Sequence, residues 1–202
     1  MTDYSRGKWK SRHRNRADIS TFLTHLTKGN TKLSTVDVLI KILNEQKLIG
    51  SNHKGFIQGK DRAVCFQDAP IHGVAQNILH EQRERQENGG KKRYTPIGLM
   101  FSKPYVFKQG GRPVIYDTKK AANETFHDIK WRVVTMDLMN KEAFIDWTHE
   151  REWRVKGDFH FELEETYVIL TDKKVYKKFI EKVDSDILSQ IAGIVTLEPI
   201  LS

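Results

Sequence analysis

The stretch IDWTHEREWRVKGDF, residues 145–159, places two glutamates two positions apart between tryptophans and basic residues. Read as a strand, its side chains alternate between faces. Glu150, Glu152 and Arg154 then share one face, and Arg151, Trp153 and Val155 share the other. Two like charges side by side on a strand have two readings. In one, Arg154 or Arg132 neutralises them in an ion-pair ladder, each exposed pair contributing roughly a few tenths of a kcal/mol. In the other, the pair lines a site.

The elements around this stretch set the fold class. STVDVLIKILNEQ (34–46) carries Val36, Leu39, Ile40 and Leu43 at helical spacing, with Ser34 or Thr35 as N-cap and Asp37 in the first turn. Upstream, residues 17–30 hold a short apolar run that suits a strand or a turn. AVCFQDAP (63–70) reads as a buried strand stopped by Asp68 and Pro70, with a helix expected over 71–87 and a loop at Gly89-Gly90. IGLMF (97–101), PVIY (113–116) and WRVVTM (131–136) have strand composition, with a turn over 108–113 and a helix near 117–127. A short helix over 140–147 leads into the glutamates. EWRV and TYVIL are further strands, KKVYKKFIEKV is an amphipathic helix, and IAGIVTL closes as a strand. Helices gather early and strands late, an α+β order with mixed or antiparallel sheets.

The 202 residues suit one domain, 19–202, behind a basic N-terminal arm, 1–18. The net charge is +8, and residues 1–16 of the arm carry Arg6, Lys8, Lys10, Arg12, Arg14 and Arg16 against Asp3 alone. With Trp9 among them, these cations suit phosphate neutralisation and base stacking, so nucleic acid is the expected partner; the other reading is a solubilising tail. Lys91-Lys92-Arg93 and the lysines of 173–178 add charge. No apolar run reaches the ~18 residues that span a bilayer, and no secretory signal is evident. The single cysteine, Cys65, excludes an internal disulfide and a cysteine-based zinc cluster. The expected location is cytoplasmic, with no membrane partner.

Several chemistries lack their residues. No P-loop or Gly-x-Ser-x-Gly elbow is present, and His72 and His80 are eight apart without a metal-ligating partner between them. Cys65 reads as a core residue, and Asp68-Ala-Pro as a turn or helix cap. What remains are the glutamate pair and His25-Leu26-Thr27, in which His25 and Thr27 share one strand face.

In order, His25-Leu26-Thr27, VLIKILNEQKLIGS, AVCFQDAPI and Glu152 in EWRV resemble the DarT-type DNA ADP-ribosyltransferases over most of 22–155. Residues 63–116, with AVCFQDAPI and GLMFSKPYVFKQGGRPVIY, also resemble the AbiGi abortive-infection family of phage resistance, usually described as an antitoxin. The first resemblance implies an ADP-ribosyltransferase-like fold and NAD as substrate. Glu152 would bind the ribose 2′-hydroxyl and stabilise the cationic sugar, and Glu150 would orient or deprotonate the acceptor. His25 and Thr27 would hold the cofactor, with Arg62 the nearest match by order to the family's arginine. Trp153 stands where the family has a Phe-like neighbour.

The expected function is thus a phage-defence toxin that transfers ADP-ribose from NAD to a nucleic acid or protein. The alternative is a non-catalytic AbiGi-like regulator that binds nucleic acid or a toxin partner. No metal is expected.

Overall fold

In the computed structural model, which describes residues 4–52, 57–89, 95–139 and 143–201, a seven-stranded sheet organises the chain. At its centre, β1 (Phe22–Leu26) pairs antiparallel with β3 (Ala63–Gln67) and β4 (Gly98–Ser102). Beyond β3 come β8 (Glu152–Lys156) and the short β5 (Arg112–Pro113). On the other side β10 (Tyr167–Leu170) pairs antiparallel with β4 and parallel with β11 (Gly193–Thr196). Two small pairs stand apart: antiparallel β2 (Lys47–Leu48) with β9 (Phe159–His160), and parallel β6 (Ile115–Asp117) with β7 (Val133–Thr135). The architecture is α+β around a mostly antiparallel sheet.

Pairing register assigns every side chain a face. Thr24 lies opposite Gln67, Gln67 opposite Glu152, and Cys65 opposite Arg154. These residues share one face, so Leu23, His25, Phe66, Trp153 and Val155 take the other. That second set lies on the main core. Phe66, Phe101, Phe159 and Phe161 pack there with ring centroids 5.1–6.2 Å apart, largely edge to face.

Helix α2 (Thr35–Glu45) covers this core with Val36, Leu39 and Leu43. The Ser34 hydroxyl accepts from the Asp37 amide and Asp37 answers the Ser34 amide, a reciprocal cap that starts the helix. Gln46, in the left-handed region at φ 46°, ends it. Helix α6 (Lys173–Lys182) starts at Asp172 and lays Phe179 on the same core, with Val183 and Ile187 of α7 (Ser185–Gln190) beside it.

The opposite face is covered in two places. Helix α3 (Ile71–Asn88) seats Val74 and Ile78 over Ile169 and Leu197, and Trp131 packs near Ala63 and Cys65. Between these covers the sheet presents polar side chains.

The structure departs from the sequence reading at four elements. Helix α4 (Lys103–Lys108) occupies a stretch the sequence reading left unassigned up to the turn over 108–113; Ser102 caps it and Pro104 fits its first turn. Residues 143–147 are not helical, because Ile145 exchanges two backbone hydrogen bonds with Asp137; residues 140–142 of that expected helix lie outside the described ones. Helix α5 (Lys119–Glu124) is shorter than expected and gives way to a 3-10 turn. Helices α7 and α8 (Glu198–Leu201), which the sequence reading did not give, add to the expected α6 in the second half. Within the N-terminal arm, α1 (Arg6–Arg14) is helical. Gly90 and Lys91-Lys92-Arg93 fall outside the described residues.

Gly98 marks where β4 lies tightest on β1: a Cβ there would meet the His25 carbonyl oxygen and the Leu26 Cα. Gly98→Ala is expected to destabilise the protein by about 1–3 kcal/mol through overpacking. Phe101→Ala, at the fully buried centre, should cost about 3–5 kcal/mol. Urea unfolding of both variants against wild type checks the two values.

Candidate active site

Strand alternation alone does not explain how Glu150 and Glu152 come together. Thr148–Glu150 form a 3-10 turn, started by the Asp146 carboxylate accepting from the Thr148 amide and hydroxyl. Arg151 then turns the chain with φ 46°, an uncommon conformation for a side-chain-bearing residue. Its carbonyl accepts from the Asp68 amide, and its guanidinium donates to the Asp18 carbonyl. Strand β8 begins only at Glu152. The two carboxylates nevertheless reach one face, because the Gln67 amide donates to Glu150 Oε2 at 3.0 Å and Gln67 lies directly opposite Glu152.

Glu152 is gripped by Arg154. Nε and Nη2 of the guanidinium donate to its two carboxylate oxygens at 2.9 and 3.0 Å, a forked, charge-assisted pair. Arg154 is 2% exposed and uses Nη1 on the Trp131 carbonyl at 2.7 Å. Burial works against its charge, but the Glu152 carboxylate outweighs that effect and holds the guanidinium pKa above its usual value. Of the two scaffold partners considered for the glutamates, Arg154 is the one used, while Arg132 donates to the Pro113 carbonyl.

Two more groups complete the cluster. Tyr116 accepts from the Glu152 amide at 3.0 Å. Burial raises its phenol pKa; the bond from the Glu152 amide opposes that, and the Glu152 and Glu150 carboxylates add to it. Cys65 lies against Glu152 and Arg154, and burial followed by the Glu152 charge raises its thiol pKa strongly. That makes it a poor nucleophile.

The other expected site residues lie elsewhere. His25 is on the opposite face from Glu152, edge-on to Phe66. Its Nδ1–H donates to the Cys65 carbonyl at 2.8 Å, bridging β1 to β3 where their backbones pair at a single position. The bond requires the proton on Nδ1, and burial holds the imidazole pKa below its usual value. Thr27 is buried just past β1. Arg62 precedes β3 at the end remote from Gln67, where it donates to the Gly50 carbonyl and to Asp158. The glutamates are therefore gathered with each other but not with His25 or Arg62.

Pro70 of Asp68-Ala-Pro is the α3 N-cap, without a side-chain cap bond, and Asp68 stands just before it. The Asp68 carboxylate meets Lys103 Nζ at 2.8 Å and accepts from the Trp153 indole at 3.3 Å. His72 and His80 are exposed on α3. Among the described residues, no three His, Cys, Asp or Glu side chains converge to hold a metal, and no helix is long and apolar enough to cross a membrane.

Gln67 and Tyr116 were not legible as site residues. Gln67 is a polar residue ending an apolar strand, a weak signal. Tyr116 reaches the cluster only because the β6–β7 pair packs beside β8. No protein-family model matches the chain, and no curated protein or solved structure is significantly similar to it.

Two outcomes follow from this geometry. Glu152→Gln leaves a buried guanidinium without its counter-charge, so it should destabilise the fold by about 3–5 kcal/mol in urea unfolding. The His25 imidazole, depressed in the folded state, contributes stability that is present above the unfolded value near 6.5 and is lost as pH falls below it. The urea midpoint should therefore drop below about pH 6.5, and His25→Gln should flatten that drop.

Proposed function

We propose that the Glu150–Glu152 cluster performs N-glycosyl transfer, with NAD as donor, in an ADP-ribosyltransferase-like fold serving phage defence. One observation carries this reading: two carboxylates share a sheet face in different electrostatic surroundings. Glu152 is held by a buried arginine fork, whereas Glu150 accepts from the Gln67 amide and has His149 Nε2 3.7 Å from its Oε1. Paired carboxylates with divided tasks are what glycosyl transfer requires.

Glu152 is the fixed member. Each of its oxygens takes one N–H from Arg154, and the carboxylate remains 17% exposed, which leaves it open to a ribose hydroxyl. Pre-set in this way, it can face the positive charge that develops on the sugar without reorganising. Glu150 takes the proton. In the step, the bond between ribose C1′ and the nicotinamide nitrogen breaks, and its electron pair leaves with neutral nicotinamide. An acceptor oxygen or nitrogen forms the new bond to C1′ and gives its proton to Glu150. Gln67 and Tyr116, on the same cluster, are the polar groups available to orient the donor, a role the resemblance assigned to His25, Thr27 and Arg62.

A second reading has its own support. The Glu152–Arg154 pair is also a complete structural ion pair, and His25 lies across the sheet from it. Both suit a non-catalytic regulator that binds nucleic acid or a toxin partner.

Glu150 separates the two readings better than Glu152, because Glu150→Gln leaves the Glu152–Arg154 pair in place and the buried guanidinium keeps its counter-charge. With labelled NAD, wild type is expected to release nicotinamide. Glu150→Gln should slow release by about 100-fold or more while unfolding at an unchanged urea midpoint. Equal rates in both proteins, or no turnover in either, would leave the regulator as the function.

A further inference from the structure

The main sheet ends at β11, and among the described residues no strand lies beyond it. The Ala192 amide turns inward to the Thr166 carbonyl, so by alternation Gly193 and Val195 direct their N–H and C=O groups away from β10. Native edge strands are commonly guarded by a charge, a proline or a bulge. GIVT carries neither charge nor proline, and its register against β10 is continuous. A strand set antiparallel against this edge would satisfy all the outward groups of Gly193 and Val195.

Surface charge is sorted along the direction of this edge. Strands β10 and β11 run parallel, so the segments that follow them lie at one end and the segments that precede them at the other. After β10, α6 opens with Lys173, Lys174, Lys177 and Lys178, all exposed, which line a groove of about 730 Å³ with Glu198 of α8. This placement costs the helix stability. Lys173–Lys177 and Lys174–Lys178 are like-charge pairs four apart, the first turn holds no acid, and cations there oppose the helix dipole. The backbone at this end is already served, since Asp172 accepts from the Val175 amide and Glu198 from the Lys173 amide. What the end presents to solvent is an array of ammonium groups.

The opposite end is acidic. There the 3-10 turn Leu163–Glu165 leads into β10 and α7 leads into β11. Glu162, Glu164, Glu165, Asp184 and Asp186 are all exposed on these segments. A half-turn about an axis perpendicular to the sheet sets a second copy of β11 antiparallel to the first, with Gly193 of each opposite Val195 of the other. The same rotation places the lysine end of each copy beside the acidic end of its mate. Symmetry makes that match twice, and the contact closes on itself.

We propose that this edge is a dimer interface, with β11 paired to β11 of a second copy and the α6 lysines of each set against the acidic end of the other. The strand pairing fixes the register, and the charges supply specificity and speed of association. Two seven-stranded sheets then join into one continuous sheet. Residues directly opposite in an antiparallel pair share a face, so both carboxylate clusters open on the same side. Four strand spacings in each copy and one across the axis separate the two β3 strands, about 43 Å at about 4.8 Å each. The dimer does not depend on the glycosyl-transfer reading.

Sedimentation velocity of the full chain reads the mass directly. At low salt the wild type should sediment at twice the 23.5 kDa of one chain. At about 0.5 M salt, where exposed charges are screened, the dimer should be about 10-fold weaker. The charge-reversal variants K174E/K178E and E164K/E165K should each remain folded by circular dichroism and sediment as monomers. Mixed in equal amounts they should dimerise again, because every reversed patch then meets its complement. Val195→Pro removes one outward N–H and should weaken the wild-type dimer about 10-fold. The proposal is overturned if wild type stays monomeric at low salt, which would leave the edge to a different partner. It is equally overturned if either charge-reversal variant dimerises as wild type does, if their mixture stays monomeric, or if Val195→Pro leaves dimerisation unchanged.

Discussion

The Arg154 guanidinium is the constraint on which the polar side of this structure depends. A buried positive charge is tolerated only when paired and hydrogen-bonded. Here Glu152 supplies the charge and the Trp131 carbonyl supplies a further acceptor. Satisfying Arg154 therefore ties the start of β8 to the 3-10 turn before β7, where Trp131 lies 23 residues upstream of Arg154. The same contacts orient Glu152, place Cys65 in a raised-pKa environment and bring the β6–β7 pair close enough for Tyr116 to meet the Glu152 amide. One ion pair thus fixes the geometry that any chemistry on this face must use.

The central sheet keeps that face separate from the hydrophobic core. Four phenylalanines and the apolar stripes of α2 and α6 occupy one side, and the carboxylates occupy the other. His25 belongs to the core side. Its Nδ1–H replaces backbone pairing between β1 and β3, so its imidazole acts as part of the sheet's hydrogen bonding. A histidine used this way stays neutral and does not reach the glutamates. The Arg151 turn connects the carboxylate cluster to the two neighbouring segments, through Asp68 at the end of β3 and Asp18 at the end of the arm. A left-handed arginine held by two such bonds is a strained residue that its surroundings maintain, a kind of strain that gathers at functional sites.

Much of the framework was legible because its signals are local. Ser34 with Asp37 and the spacing of Val36, Leu39 and Leu43 specify α2 without help from the rest of the chain. AVCFQ and TYVIL are strands by composition, and Asp172 before KKVYKKF starts α6. The misread elements had weak or competing local signals. Residues 143–147 carry helix-compatible residues but pair with Asp137 instead, since cross-strand bonding outweighs a small propensity. SKPYVFK has a serine cap and a proline suited to a helix start, a local signal the sequence reading did not take up.

By itself the sequence determined the α+β class, the starts of α2 and α6 and the concentration of cations in the arm. Each depends on residues within a few positions of one another, where capping, alternation and charge act directly. Tertiary structure alone decided which face each strand residue takes relative to its neighbours across the sheet. Register is set by pairing between segments far apart in the chain, and a shift of one residue exchanges the faces. That is why His25 and Glu152, adjacent in the resemblance, lie on opposite sides. It is also why Gln67 and Tyr116 join the glutamates with no sequence pattern to announce them.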